Sequence, residues 1–383
     1  MSAAAPANLA HPPVSHPVSH VLKFTGSDRF LHALRGKVDA YFESTGRPKR
    51  DCPRMYFKTA TILAWFFGAY FLLLFVAWSW WNTIPLAIIM GLGLAAIGFN
   101  IQHDGGHKAY SNHPWINKVM ALTLDLMGGS SYLWDWKHNS IHHTYTNITG
   151  QDDDIDLGFL ARLSPYQRRY WFHRLQGIYL WVLYGFMAIK WHLIDDFYQI
   201  AVARIGDKRI PRPKGKDLVV FIAGKTIFFT MAFVVPMLLH PIWAVLATYA
   251  LAAFVSGLVL SVVFQLAHCV EGSNFPMPVP NVEGLPRMET GWAVHQVQTT
   301  FDFSRGNRLI SWFVGGLNYQ IEHHLFPRIC HVNYPVLSQV VEEACREFGL
   351  RYAVHRSLFS AIAAHYRWLV VMGRPSPVPI PMS

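Results

Sequence analysis

The feature that most constrains this chain is a long absence of charge: from Thr59 to Gln102 there is no Asp, Glu, Lys or Arg. That run exceeds a single membrane crossing, which takes about 20 apolar residues for about 30 Å of hydrocarbon. Asn82-Thr83-Ile84-Pro85 interrupts it, so it reads as two spans at roughly 57–81 and 84–101. Trp78, Trp80 and Trp81 cluster at the turn, as in an aromatic belt at a membrane interface. A second hairpin follows, Leu218–Leu239 and Ile242–Ala267, parted by His240-Pro241 and carrying Lys225 as its one internal charge. The expected fold is all-α and polytopic, with four transmembrane helices in two hairpins and a helical cap on one side.

Composition agrees: the chain is 52% hydrophobic and only 15% charged, against about 25% charged in ordinary soluble proteins. The placement of the +10 net charge matters more than its size. The turns at 82–85 and 240–241 hold no Lys or Arg, whereas Arg47-Pro48-Lys49-Arg50 and Arg204–Lys216 are basic and lie on the opposite side. By the positive-inside rule both termini and the central region face the cytoplasm. The basic excess then reads as topological charge in contact with anionic lipid. The alternative is a docking surface for an acidic redox partner or for phosphates on a substrate; nucleic acid is not indicated.

Cys52, Cys269, Cys330 and Cys345 form no CxxC pair, so neither a disulfide framework nor a thiolate zinc site is expected. Residues 1–20 lack the cationic start and apolar run of a secretory signal. They read as a disordered tail containing His11, His16 and His20. The chain divides into a cytoplasmic lead-in (1–57), a membrane and catalytic domain (58–330) and a C-terminal cytoplasmic segment (331–383). Between the hairpins, Trp115–Trp134 carries Lys118 and Asp125, and Leu175–Ile189 is short. Both fit interfacial or cap helices, or re-entrant segments, better than spans. Residues 272–308 are rich in Pro and Gly and read as irregular, and the chain after Pro327 looks soluble.

Twenty histidines are the compositional anomaly, and their grouping gives the chemistry. His103 and His107 are spaced i, i+4, so on a helix they share a face about 6 Å apart. His138, His142 and His143 repeat the pair with a neighbour added, and Gln320-Ile321-Glu322-His323-His324 supplies a third group. His268 ends the second hairpin much as His103 ends the first, so each hairpin delivers a histidine where it leaves the bilayer. Neutral imidazole suits iron, zinc and copper. These eight imidazoles are too many for one tetrahedral zinc and about right for two metals. Asp104, Glu322, His295 and Gln265 are candidates to orient ligand imidazoles. The run Asp152-Asp153-Asp154-Ile155-Asp156 is a further candidate, or simply a solvated loop. Trp134 and Trp136 read as interfacial anchors.

HxxxH, HxxxHH and QxxHH, in this order and separated by paired spans, resemble the three histidine boxes of the membrane fatty-acid desaturases over about residues 55–330. The Gln320 form, in Asn318-Tyr-Gln-Ile-Glu-His-His-Leu-Phe-Pro327, is similar to the front-end branch, which inserts double bonds between an existing one and the carboxyl end. The resemblance implies a di-iron centre on His103, His107, His138, His142, His143, His268, His323 and His324. Gln320 stands where the commoner pattern has histidine, and its amide oxygen either ligates or holds a water on iron. O2 is the implied co-substrate and a fatty-acyl chain the implied substrate. His11-Pro12-Pro13-Val14 is not the His-Pro-Gly-Gly motif of a fused cytochrome b5-like domain. The expected electron donor is therefore a separate ferredoxin or cytochrome b5-like protein.

Two other readings stand beside this one. A membrane di-iron hydroxylase or ketolase acting on a lipid, sterol or carotenoid uses the same ligands, and only the QxxHH box and its flanks favour desaturation. A metal transporter or non-catalytic scaffold is the reading from another class. Transporters place ionisable groups near mid-bilayer, whereas these histidines gather at the cytoplasmic ends of the spans.

Overall fold

The computed structural model describes residues 22–375. The tail with His11, His16 and His20 and the last eight residues of the Pro-rich end lie outside it. After a helix α1 (Arg29–Thr45) come two long apolar helices, α2 (Pro53–Phe75) and α3 (Trp80–Gly106). The second pair, α8 (Lys216–Met237) and α9 (Ile242–His268), follows a cap segment, and all four are long and apolar enough to cross a membrane.

The two hairpins stand where expected, with shifted ends. The first turn is at 76–79 rather than 82–85. Pro85 falls in the second turn of α3, where the missing N–H costs one backbone bond near a helix end. At the other end α3 continues through Gly105, so the paired glycines do not break it. A Cβ on Gly105 would lie 2.6 Å from the Ala121 backbone nitrogen, so close packing, not flexibility, accounts for that glycine.

The four spans are not equivalent. Half of the apolar window of α3 and of α9 is buried, against 28% for α2 and 22% for α8. The inner pair therefore forms the bundle core, and the outer pair faces lipid. Small residues permit the inner contact: a Cβ on Gly91 would lie 2.5 Å from the Ala252 carbonyl oxygen. It follows that the two inner helices are the ones ending in His103–Gly106 and His268. At the far end Trp78, Trp80, Trp81 and Trp243 are all exposed, forming an aromatic rim.

The cap is more broken than the sequence suggests. Trp115–Trp134 is not one helix: it divides into α4 (Pro114–Ala121), one turn at Thr123–Leu126, and the start of α5 (131–145). Gly128, at φ +98°, forces the break. The segment expected at Leu175–Ile189 is longer, α6 (Trp171–Gly185) and α7 (Met187–Val202) bent by 52°. Lys225 on α8 reaches back to this pair, bonding Asp196 at 2.8 Å and the carbonyls of Gly128 and His192. The one charge inside the second hairpin is thus neutralised within the protein.

α10 (Trp292–Thr299), α11 (Arg308–Phe313) and α12 (Gln320–Leu325) follow, and the stretch 272–308 is helical over α10 rather than wholly irregular. α13 (Tyr334–Glu347) packs on α1 through Phe30, Leu34, Val38 and Phe42 against Leu337, Val341 and Ala344. Ile321 and Leu325 of the third histidine box belong to that same core. α1 and α13 therefore clamp the box through this shared core. α14 (Leu358–Gly373) packs on α6, its Leu369 lying in one core with Leu180 and Tyr184.

Candidate metal centre

The three boxes and His268 converge, and every imidazole in them is buried. His103 leaves the end of α3 just after a π-helical turn at Gly98–Gln102. The second box is carried by a longer π-helical stretch, Asp135–His142. Its wide turn stacks the rings of His138 and His142 with centroids 5.3 Å apart and sets the His143 ring at 81° to that of His142. Such widened turns recur at functional sites because they re-aim side chains without ending the helix.

The nitrogens sort into two adjacent groups. His103, His107, His138 and His323 place ligand atoms within 4.8 Å of one another, as do His142, His268 and His324. His143 bridges the groups, its ligand atom lying within 4.8 Å of those of His323 and His324. His103 Nε2 is 3.3 Å and the bridging His143 Nε2 3.2 Å from His138 Nε2. His107, His142 and His323 each turn a buried Nε2 that has no hydrogen-bond partner among the described residues. Unpartnered buried polar atoms are costly and rare, and imidazole nitrogens facing one another at this distance call for a shared cation. The donor set therefore fits a pair of metal ions. Burial, reinforced by neighbouring imidazoles, holds His107, His143, His323 and His324 well below the ordinary histidine pKa. Neutral imidazole is the ligating form.

Polar partners fix which nitrogen faces inward. Asp152 accepts from His142 Nδ1 at 3.0 Å, which leaves Nε2 as the lone pair. Burial opposes a charge on His142, but the Asp152 carboxylate outweighs it and raises that imidazole above its usual value. His323 Nδ1 lies 3.3 Å from the Tyr334 hydroxyl and His324 Nδ1 2.8 Å from Gln296 Oε1. Gln320 presents its amide to His268 Nε2 at 3.0 Å and His324 Nε2 at 3.3 Å, placing it squarely in the second group. Its NH2 can satisfy both lone pairs, and a half-turn would present the oxygen as a ligand instead.

The supporting residues differ from those the sequence suggested. Asp104 does accept from an imidazole, but from His331 Nδ1 at 2.9 Å, whose Nε2 meets Lys58 at 2.9 Å. Glu322 bonds no imidazole among the described residues; Tyr352 lies 2.8 Å from it and 2.6 Å from Asp302. Burial and the Asp302 carboxyl beside it push Glu322 well above the carboxylate range. His295 Nε2 meets the Thr146 carbonyl at 2.8 Å, one residue removed from the metal-facing rings. Gln265 is buried near His268, its Oε1 without a partner among the described residues. Trp134 is no interfacial anchor: it stacks on His138 at 4.6 Å and edges His103 and His107. Asp152 was within reach of sequence reasoning as part of the acidic run. Gln296, Thr146 and Tyr334 carried no local signal.

With this geometry in place, comparison with known proteins decides the family. Residues 78–356 match the family model described as fatty acid desaturase. The chain belongs to the fatty acid desaturase family. It is 40% identical to the sn-1 linoleoyl-lipid 6-desaturase of Arthrospira platensis, over 91% of this chain and 94% of that one. Identity to the protein of the same name from Synechocystis sp. is 37%, over 93% and 98%. An acyl-lipid (8-3)-desaturase of Physcomitrium patens is 35% identical over 91% of this chain and 72% of its own length. As a desaturase, the chain is an oxygen-dependent oxidoreductase of the membrane, acting on a fatty-acyl substrate.

Proposed function

We propose that this desaturase is a front-end acyl-lipid desaturase, inserting a cis double bond on the carboxyl side of an existing one with O2 and two electrons. The observation that carries it is the paired grouping of inward-facing imidazole nitrogens, with Gln320 in the second group. The names of the similar proteins support an acyl-lipid substrate of the linoleoyl type and attack at carbon 6.

The first metal position takes His103, His107, His138 and His323, the second takes His142, His268 and His324 with the Gln320 amide, and His143 stands between them. Iron is the metal proposed, because imidazole-rich donor sets suit it and the reaction requires redox change. When bound, the pair supplies the activation of oxygen needed to remove hydrogen from unactivated methylene carbons. The chain's own residues do the rest. Asp152, Gln296 and Tyr334 hold imidazoles in the orientation that presents Nε2 inward. The clamp of α1 and α13 behind the third box keeps bulk water away from that side. Regioselectivity then rests on holding the acyl chain in register with the site. By the positive-inside rule the site lies on the cytoplasmic side, where a ferredoxin or cytochrome b5-like carrier delivers electrons.

Expression in a host of simple lipid composition, fed linoleate, tests this directly. A new double bond at carbon 6, located by mass spectrometry, is the expected result. Hydroxylated chains, or a bond on the methyl side, would overturn the reading.

A further inference from the structure

We propose that Gln296 is a positioning residue that sets the ring orientation of His324 and thereby the strength of the second metal position. Gln296 sits fully buried on α10, one residue beyond His295. Its amide can be oriented without ambiguity. Gln296 Nε2 faces the His143 carbonyl oxygen at 3.2 Å, and a carbonyl only accepts, so the NH2 must point there. Gln296 Oε1 therefore faces His324 Nδ1, 2.8 Å away. An amide oxygen only accepts as well, so Nδ1 carries the ring proton. His324 Nε2 is left as a lone pair aimed at His142, His268 and Gln320.

The two metal positions differ in how much they depend on such help. The first is enclosed by four imidazoles. The second has three and an amide, a weaker donor, so the orientation of each imidazole counts for more. Two of the three are fixed through one junction, because Thr146 lies 2.9 Å from Gln296 Oε1 and its hydroxyl is 2.8 Å from the His142 carbonyl. The adjacent Asn147 donates to the His268 carbonyl at 2.9 Å and, through its backbone N–H, to Asp152 at 2.9 Å. Gln296 touches a metal-facing ring and the backbone of the second box together, and so does Thr146, but at 2.8 Å Gln296 is nearer to His324 Nδ1 than the Thr146 hydroxyl at 3.3 Å.

The inference rests on the two-metal reading, and the experiment separates the two. Wild type, Gln296→Met, Gln296→Glu and Trp292→Phe are purified, loaded with iron, and titrated with a chelator while iron per chain is counted. Gln296→Met keeps the shape and removes the side-chain hydrogen bonds with His324, His143 and Thr146. One of its two irons is expected to become 10- to 100-fold easier to remove, the usual scale for losing a partner of a ligand imidazole. The iron at the first position and the Mössbauer signal of its site should stay unchanged. Gln296→Glu, protonated in this buried site, can accept from His324 and donate to His143, and should hold both irons. Trp292→Phe removes the other donor to the His143 carbonyl, at 3.1 Å, without touching His324, and should also hold both.

Two equally tight irons in Gln296→Met overturn the proposal, as does equal loss in Trp292→Phe, which would make the role merely structural. If Gln296→Met does not fold, Gln296→Glu decides: it must keep two irons and shift the signal of one site only, and any other result overturns the proposal. A wild type without two irons refutes instead the reading beneath it.

Discussion

The two halves of the histidine cluster are built by different means. The group of His103, His107, His138 and His323 is dense in imidazole, anchored on the inner span α3 and packed against Trp134. The group of His142, His268 and His324 has fewer imidazoles and is held by polar neighbours: Asp152, Gln296, Gln320 and Asn147. The first is a site made by ligand number, the second by ligand orientation. Substitutions at supporting residues should therefore hurt the second group more, while loss of a ligand should be severe in either.

The largest effect tests that last statement. His323→Ala and His142→Ala should each abolish product formation in cells while leaving much membrane-inserted protein; substantial product from either variant would remove that histidine from the site. Next comes Gln320→Ala, which should lower the affinity of one iron only, read as a fall from about two metals per chain toward one. Retention of both would place Gln320 outside the ligand set. Asp152→Asn keeps the size of the side chain but weakens the acceptor on His142. A 10- to 100-fold loss of activity or metal affinity is the scale for such partners, and a loss under twofold would mean the carboxylate orients nothing. The smallest effect belongs to the first group. Its polar supports are long, Tyr334 at 3.3 Å from His323 and Asp154 at 3.9 Å from His138, so Tyr334→Phe should cost only a few-fold in activity. A loss as deep as that of Asp152→Asn would dissolve the contrast between the two halves.

Much of the membrane architecture was legible because its cause is local. A run without charge, a turn and a second such run specify a hairpin whatever the rest of the chain does. The ends moved by a few residues, because Pro85 is tolerated near a helix start and Gly105 is held by packing on α4. The cap was far less legible. Its short helices take their shape from contacts with distant segments, as α1 does with α13 and α14 does with α6.

The same division runs through the site. The sequence by itself named the eight histidines, their order and the sides of the helices on which they recur, because i, i+4 spacing is a property of the helix alone. Tertiary structure alone decided which imidazoles stand together, and that Gln320 joins the group of His142, His268 and His324. It also assigned Asp104 to His331 and Glu322 to Tyr352, and gave the support of His324 to Gln296, 28 positions away. A hydrogen-bond partner is chosen by where chains cross, and no spacing within a single helix records that.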